Sequence, residues 1–248
     1  VRTTLAPPDA LDAMMRQAGV IRVETIEQLM DVAQIVSSQP LPKGPGVAVF
    51  SNSRALGKVA ADSAAAQGLG VVRIVTGIDL DAGMSVALPA LRHSLQEVLT
   101  ADAVHAVVVA LLPARGLTVE RIAGVLAECS VAAGKPVVAA FSGLLDPSIY
   151  VEGMVGDQAG STVVPCYSNP GAAVAALGSV VRYAQWLGRD QGLFVEPEGC
   201  DPDGTHAELE RLLDKVGGEH LVRLDAETAA GLLARYGIRV VPSVGFET

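Results

Sequence analysis

The chain has 248 residues, enough for one α/β domain with sizeable flanks or for two small domains, and 50% of them are hydrophobic but only 4% aromatic. Its formal net charge of −9 and its lack of a Lys/Arg cluster in the sequence argue against nucleic acid as a partner, and its apolar runs are too short to cross a bilayer. Three widely separated cysteines, Cys129, Cys166 and Cys200, support neither a disulfide framework nor a zinc site, so we expect a cytoplasmic protein without a membrane partner.

Two helices are predicted at the start of the chain. Asp9 can cap the first, which ends at Gly19, and Thr25 with Gln28 forms a capping box for the second. One face of the second helix carries the apolar residues Ile26, Leu29, Met30, Ala33 and Val36. The segment Gln39-Pro40-Leu41-Pro42 then predicts a domain junction, because prolines end helices and mark connections.

After this junction, short apolar runs alternate with amphipathic helices, which is typical of βαβ units. Five strands are predicted, at Val47 to Phe50, Val71 to Val75, Ala106 to Leu111, Val137 to Phe141 and Thr162 to Pro165. Five such strands with helices between them indicate an α/β protein with a doubly wound parallel sheet. The low aromatic content agrees, since Ala, Val, Leu and Ile then fill the core.

The last part of the chain has a different pattern. Residues 189–223 combine Gly, Pro and Asp with a single amphipathic helix, which predicts an interdomain linker. Asp225 then caps a helix that ends at Gly237 and leads into a strand at Ile238 to Val241. Since the sequence begins with Val1 and stops in mid-element, we expect it to be an internal piece of a longer protein.

The turn after the first strand is the first place to seek chemistry, because ligands of doubly wound sheets bind beyond the carboxyl ends of the strands. It consists of Ser51, Asn52, Ser53, Arg54, Ala55, Leu56 and Gly57. N–H groups at a helix start, together with the helix dipole and the Arg54 charge, favour a phosphate there. Alternatively, Asn52 or Ser53 only caps a helix that packs on the sheet.

Other features of the sequence predict no second site of comparable strength. The turn lacks the first glycine and the Ser/Thr of a Walker A loop, and no GxGxxG follows a strand. The 4 histidines fall in no nucleophile or ligand motif. Asp79 and Asp81 predict a turn, and Arg115 with Gly116 predicts either a contact to a phosphate or partner or a solvated loop.

Three stretches, in this order along the chain, carry a family resemblance: MRQAGVIRVETIEQLMDVAQIVSSQPLPKGPGVAVFSNS, GKPVVAAFSG and NPGAAVAALGSVVRYAQWL. The chain resembles NDP-forming (ADP-forming) acyl-CoA synthetases, which are succinyl-CoA synthetase-like CoA ligases. A further stretch, LDAETAAGLLARYGIRVVP, resembles the start of the ATP-grasp region of that family. The resemblance covers nearly the whole chain and implies an internal fragment, either of a ligase or of a protein that also carries an acetyltransferase domain.

The resemblance implies a flavodoxin-like fold and four regions. Residues 1–41 correspond to the helical tail of a preceding CoA-ligase domain, and residues 42–189 to a flavodoxin-like CoA-ligase domain. Residues 190–224 are then a linker, and residues 225–248 start an ATP-grasp region. The implied partners belong to the same polypeptide, namely upstream CoA-binding and phosphohistidine domains and a downstream ATP-grasp domain.

Members of this family convert an acid, CoA and an NTP reversibly into acyl-CoA, NDP and phosphate, through an acyl phosphate and a mobile phosphohistidine. The resemblance therefore implies CoA and ATP or ADP with Mg as cofactors of the parent protein, together with small-molecule substrates. The histidine motif of the family precedes the matched segment, and its nucleotide-binding residues follow it. We therefore assign no catalytic residue and no metal ligand, and we expect the fragment alone to be inactive.

The turn at residues 51–57 departs from the family pattern. Its sequence is SNSRALG, where the family has a TNAGGPG-like turn that helps to hold the phosphate carried by the histidine. Asn52 and Gly57 match, but Arg54, Ala55 and Leu56 replace Gly, Gly and Pro, which narrows the loop. Arg54 either compensates by its charge or blocks the pocket. The alternatives to a ligase piece are a degenerate module that senses acyl-CoA in a protein acetyltransferase and a purely structural interaction module.

Overall fold

A computed structural model describes residues 7–112, 118–143, 164–190, 192, 198–216 and 223–241. The chain divides into two units, Val1–Arg189 and Asp190–Thr248. The first unit contains α1 (Pro8–Gln17), α2 (Ile26–Ser38), β1 (Gly46–Ser51), α3 (Arg54–Ala66), β2 (Gly70–Thr76), α4 (Met84–Leu99), β3 (Ala106–Leu111), α5 (Val119–Ala133), β4 (Val137–Phe141), β5 (Cys166–Tyr167) and α6 (Pro170–Leu187). The second contains α7 (Pro202–Val216) and α8 (Ala226–Ala234).

The strands of the first unit form one parallel sheet in the order β2-β1-β3-β4-β5. Val47 of β1 pairs with Val71 of β2 on one side and with Ala106 of β3 on the other. Every residue of β1, β3 and β4 is buried. Continuous apolar strands of this kind are expected where helices cover both faces of a parallel sheet. The predicted α/β fold with a five-stranded doubly wound sheet is therefore confirmed.

Alternate residues of the central strands face two different helix layers. On one face, Phe50 and Val107 share a core cluster with Leu91 of α4 and Leu126 of α5. On the opposite face, Val108 and its neighbours pack with residues of α2 and α6. The core is thus divided by the sheet into two apolar layers, and both layers are filled mainly by aliphatic side chains.

The N-terminal helices begin differently from each other. Thr25 Oγ1 accepts a hydrogen bond from Gln28 N at 3.2 Å, and Gln28 Oε1 accepts one from Glu24 N at 2.9 Å, which is a reciprocal cap for α2. α1 instead begins at Pro8. Asp9 therefore lies in the first turn and not at the predicted cap, because proline is favoured at the first helical position.

Two strand predictions were wrong within the described residues. β5 is Cys166–Tyr167, whereas a strand was predicted at Thr162 to Pro165, of which the first two residues lie outside the described part. Pro165 has no N–H to donate to a ladder, although its carbonyl accepts a hydrogen bond from Ala139 N at 2.9 Å. Residues 238–241 form no strand, because no strand in the described part of the second unit offers them a ladder.

The two sides of α2 differ in burial. Val32 and Ile35 are buried in the core against α6. The apolar face predicted from the sequence lies on the outside of the unit, where Ile26, Leu29, Met30, Ala33 and Val36 are exposed. Neither α2 nor any other helix of the described residues has the length and apolar character needed to cross a bilayer.

Candidate functional site

Two strand ends meet where the winding of the sheet reverses. β1 has β2 on one side and β3 on the other, so the carboxyl ends of β1 and β3 border the crevice in which ligands of doubly wound sheets bind. Asn52 lies directly after β1 and reaches across to the residue after β3. Its Nδ2 donates to the Leu112 carbonyl at 3.1 Å, and its Oδ1 accepts from Leu112 N at 2.9 Å. Asn52 therefore ties the β1–α3 turn to the end of β3, and both ends of its amide are engaged.

The two serines of the turn organise its backbone. Ser51 is fully buried, and its Oγ accepts a hydrogen bond from Ser53 N at 3.1 Å. Ser53 is the N-cap of α3, and its Oγ accepts from Leu56 N at 3.4 Å. The helix-capping interpretation is thus correct for Ser53. Hydrogen bonds within the turn account for the positions of both hydroxyl groups.

Arg54 and Ala55 are the first two residues of α3, and both are exposed. In an α-helix the first N–H groups have no intrahelical acceptor. The Ser53 side chain takes the N–H of Leu56, so the N–H groups of Arg54 and Ala55 remain at the positive end of the helix dipole. The first turn of α3 contains no acidic residue, and Arg54 adds a full positive charge there. This end of α3 has the chemistry of an anion-binding helix start.

Leu56 and Gly57 face inward, toward the sheet. Leu56 is partly buried and packs against the cluster of Val49, Ala60, Ala61 and Ala110. Gly57 is buried, and a Cβ at this position would lie 3.0 Å from Thr76 Cγ2 and 3.3 Å from Ser51 Cβ. Gly57 N donates to the Ser53 carbonyl at 2.9 Å, inside the helix. Gly57 therefore allows α3 to lie close to β1 and β2, and its own N–H is not a donor for a ligand.

The seven predicted residues of the turn thus divide into two groups. Asn52, Ser53, Arg54 and Ala55 lie at the outer edge of the turn, whereas Ser51, Leu56 and Gly57 support it from beneath. The contact between Asn52 and Leu112 could not be predicted from local sequence, because these residues are 60 positions apart in the chain.

The remaining candidate residues do not add to this site. Asp79 Oδ1 accepts a hydrogen bond from Asp81 N at 3.0 Å, which is the predicted turn. His105 Nδ1 accepts from Gly46 N at 3.1 Å and so supports the start of β1. Arg115 and Gly116 lie outside the described residues. In the part of the chain that the structure describes, no three His, Cys, Asp or Glu side chains are grouped so that they could hold a metal ion.

Comparison with known proteins identifies homologous CoA ligases. No family model matches the chain. The chain is 24% identical over 242 residues to 4-hydroxybutyrate–CoA ligase [ADP-forming] of Nitrosopumilus maritimus, covering 92% of the chain and 33% of that protein. It is 22% identical over 191 residues to acetate–CoA ligase [ADP-forming] I subunit alpha of Pyrococcus furiosus, covering 70% of the chain and 40% of that protein.

A solved structure shows the same fold. Dinucleotide forming acetyl-coenzyme A synthetase 1 of Ca. Korarchaeum cryptofilum, in complex with phosphate and ADP, matches with a TM-score of 0.59 at 17% identity, covering 73% of this chain and 42% of that one. The chain spans about a third to two fifths of the length of the curated relatives it matches. The predicted resemblance to ADP-forming acyl-CoA synthetases is therefore confirmed, with the coverage of a fragment.

Proposed function

We propose that this chain is the part of an ADP-forming acyl-CoA synthetase that presents the start of α3 to a phosphate group. The whole protein would convert an acid, CoA and ATP reversibly into acyl-CoA, ADP and phosphate. The observation that carries the proposal is the position of Arg54 and Ala55. Their N–H groups begin a helix at the carboxyl edge of β1, beside the end of β3, in a chain whose homologues are ADP-forming CoA ligases.

The chemistry of this helix start suits a phosphate carried by another group. Two N–H donors, the helix dipole and the Arg54 guanidinium all favour a dianion over a neutral ligand. In the resembled family the phosphate is carried by a histidine, which in this proposal belongs to another domain of the parent protein. CoA, the nucleotide and its Mg would also be bound by other domains. The residues of this chain would hold and orient the phosphate. We also propose that the parent protein is cytoplasmic.

The outer face of α2 supports a second role, as a docking surface within the parent protein. Ile26 is 77% exposed and Met30 59% exposed, and Leu29 and Val36 lie beside them on the same face. Contiguous exposed apolar residues of this kind are typical of interfaces. We propose that upstream domains of the same polypeptide cover this face.

A regulatory module that senses acyl-CoA is the alternative that a specific observation favours. The Asn52 amide is engaged with Leu112, and Arg54, Ala55 and Leu56 carry side chains where the family has Gly, Gly and Pro. Larger side chains at these three positions leave less room for a phosphohistidine loop than Gly, Gly and Pro would. In this alternative the chain would retain the architecture of the ligase without its turnover.

Binding of inorganic phosphate to the 248-residue chain tests the site itself. In wild type, we expect a phosphate titration to shift the backbone ¹H–¹⁵N signal of Ala55. Arg54→Gln should weaken this binding roughly fivefold, which corresponds to about 1 kcal/mol for an exposed charge. Lys58→Gln is the matched control, since Lys58 lies one turn further along α3 and pairs with Asp62 at 2.7 Å. An Ala55 signal that does not respond, or equal effects of the two variants, would retire the site.

Turnover by the intact parent protein separates the ligase from the sensor. Acetyl-CoA, ADP and phosphate are supplied, and ATP formation and phosphorylated histidine are measured in the same reaction. We expect both products, and Arg54→Gln should reduce both. Binding of acyl-CoA with neither product would favour the sensor, whereas no binding of CoA, acyl-CoA or nucleotide would favour a purely structural module.

A further inference from the structure

A second positively charged site lies far from the start of α3 in the sequence and on different elements. A cavity of about 360 Å³ is bordered by α1, by the segment that joins α1 to α2, and by α6. Four arginines line it: Arg16, Arg22, Arg182 and Arg189. Asp12 is the only carboxylate among the lining residues. The lining of the cavity therefore includes four arginines and one carboxylate, in a chain whose formal net charge is −9.

Tertiary packing, and not local sequence, brings these arginines together. Arg16 and Arg22 lie near the start of the chain, whereas Arg182 and Arg189 lie more than 150 positions further along. The sequence alone therefore shows no basic cluster. Packing of α6 beside the N-terminal segment brings them to one cavity. Like charges repel, so collecting them is unfavourable unless an anion neutralises them. Arg22 pairs with Asp12, and no second carboxylate lines the cavity to offset the charges of Arg16 and Arg182.

The wall of the cavity is held in place by aromatic packing. Trp186 Nε1 donates to the Gln17 carbonyl at 3.1 Å, and Trp186 stacks with Tyr183 at a ring-centroid distance of 6.1 Å. Gly19 has a positive φ of 70°, and a Cβ there would lie 2.4 Å from the Trp186 ring. Glycine is therefore required at residue 19 for the chain to pass against the indole. Arg182 Nη2 donates to Ser179 Oγ at 2.9 Å, which orients its guanidinium.

We propose that this cavity binds a small anion that contains at least two phosphate groups, such as pyrophosphate. Its volume lies within the range of about 300–1,000 Å³ that small-molecule sites occupy. All four basic groups are arginines, whose planar guanidinium binds two phosphate oxygens at once, which lysine does not do. No residue of the α3 start lines the cavity, so the inference is independent of the phosphate site proposed above.

The single tryptophan of the chain provides a direct test. Pyrophosphate is titrated into the ¹⁵N-labelled 248-residue chain at constant ionic strength, and the only indole N–H signal, that of Trp186, is followed with calorimetry in parallel. We expect a saturable shift of the indole and Gly19 signals. Arg16→Gln and Arg182→Gln should each weaken binding about tenfold, the loss expected for one charge-assisted contact.

Controls distinguish the cavity from general charge and from the α3 start. Arg73→Gln removes an exposed arginine that pairs with Glu97 at 2.9 Å and should leave pyrophosphate affinity unchanged. Arg54→Gln should leave the affinity measured from the Trp186 indole signal unchanged, so the two sites can fail separately. Arg182→Lys keeps the charge and should still lose several-fold affinity if the planar fork matters, which covers the case in which Arg182→Gln does not fold. No heat and no shift in wild type, an equal loss in Arg73→Gln, or equally tight binding of citrate would overturn the proposal.

Discussion

The central strands and the outer face of α2 consist of similar residues in opposite environments. All six residues of β1 are buried, and each of its apolar side chains packs against a helix of the same unit. On α2, Leu29 is 53% exposed and Ile26 is 77% exposed, although Val32 and Ile35 on the other side are buried. Burial therefore follows from what packs against a residue and not from its hydrophobicity alone. The sheet is covered from within its own unit, whereas the outer face of α2 is exposed, and the proposal above assigns its cover to a partner domain.

The largest expected effect comes from one substitution made on both sides of this comparison. Leu91 in α4 is fully buried in the core beside the sheet, so Leu91→Ala should reduce the free energy of unfolding by about 2–5 kcal/mol. Leu29→Ala on the outer face of α2 should change it by less than about 0.5 kcal/mol. Urea denaturation of both variants measures the difference.

A partner changes the second half of that expectation. If upstream domains of the parent protein cover α2, Leu29→Ala should be destabilising in the intact protein and neutral in this chain. Similar effects of Leu29→Ala in both forms would argue against a covered face. An effect of Leu29→Ala as large as that of Leu91→Ala in this chain would show that the two regions do not differ.

Most of the sheet follows from local sequence. Uninterrupted apolar runs such as Val47 to Phe50 and Ala106 to Leu111 are long enough for a strand and too short for a helix, and they predicted β1 and β3. The last strand was displaced because Thr162 to Pro165 has the composition of a strand, whereas the ladder with β4 begins only after the proline. Pairing partners decide such boundaries, and they are not local.

The candidate site was predictable in position but not in detail. The helix start at Arg54 follows from the strand-to-helix pattern and from Ser53 as a cap. The Asn52 bridge to Leu112 and the gathering of Arg16 with Arg182 depend on contacts between distant segments, which periodicity and spacing do not reveal. Sequence reasoning placed the turn at the carboxyl end of β1, and tertiary packing decided which of its side chains are engaged and which are exposed.

A smaller effect is expected where α2 is tied to the sheet by a polar side chain. Gln39 follows α2 and is buried, and its Oε1 accepts hydrogen bonds from Val137 N at 3.0 Å and Ser130 Oγ at 2.9 Å. Gln39→Met keeps the size of the side chain but leaves the Val137 N–H without this acceptor. The free energy of unfolding should fall by roughly 1–3 kcal/mol in urea denaturation. Gln34→Met within α2 should be nearly neutral, and equal effects of the two variants would show that the buried hydrogen bonds of Gln39 contribute little.

The smallest effect concerns an ionisable group on the buried side of the comparison. Cys166 in β5 is 2% exposed, and burial raises the pKa of its thiol from 9.0 to about 12. The unfolded chain loses this proton near pH 9 and the folded chain retains it, so the unfolded state binds fewer protons between pH 9 and about 12. The free energy of unfolding is therefore unaffected by this group below about pH 8 and falls as the pH rises, by roughly 1 kcal/mol between about pH 7.5 and 9.5. Burial also raises the pKa of Cys129, so the measurement is the difference in slope between wild type and Cys166→Ala. Identical slopes would mean that folding does not raise the pKa of the Cys166 thiol, despite its burial at the edge of the sheet.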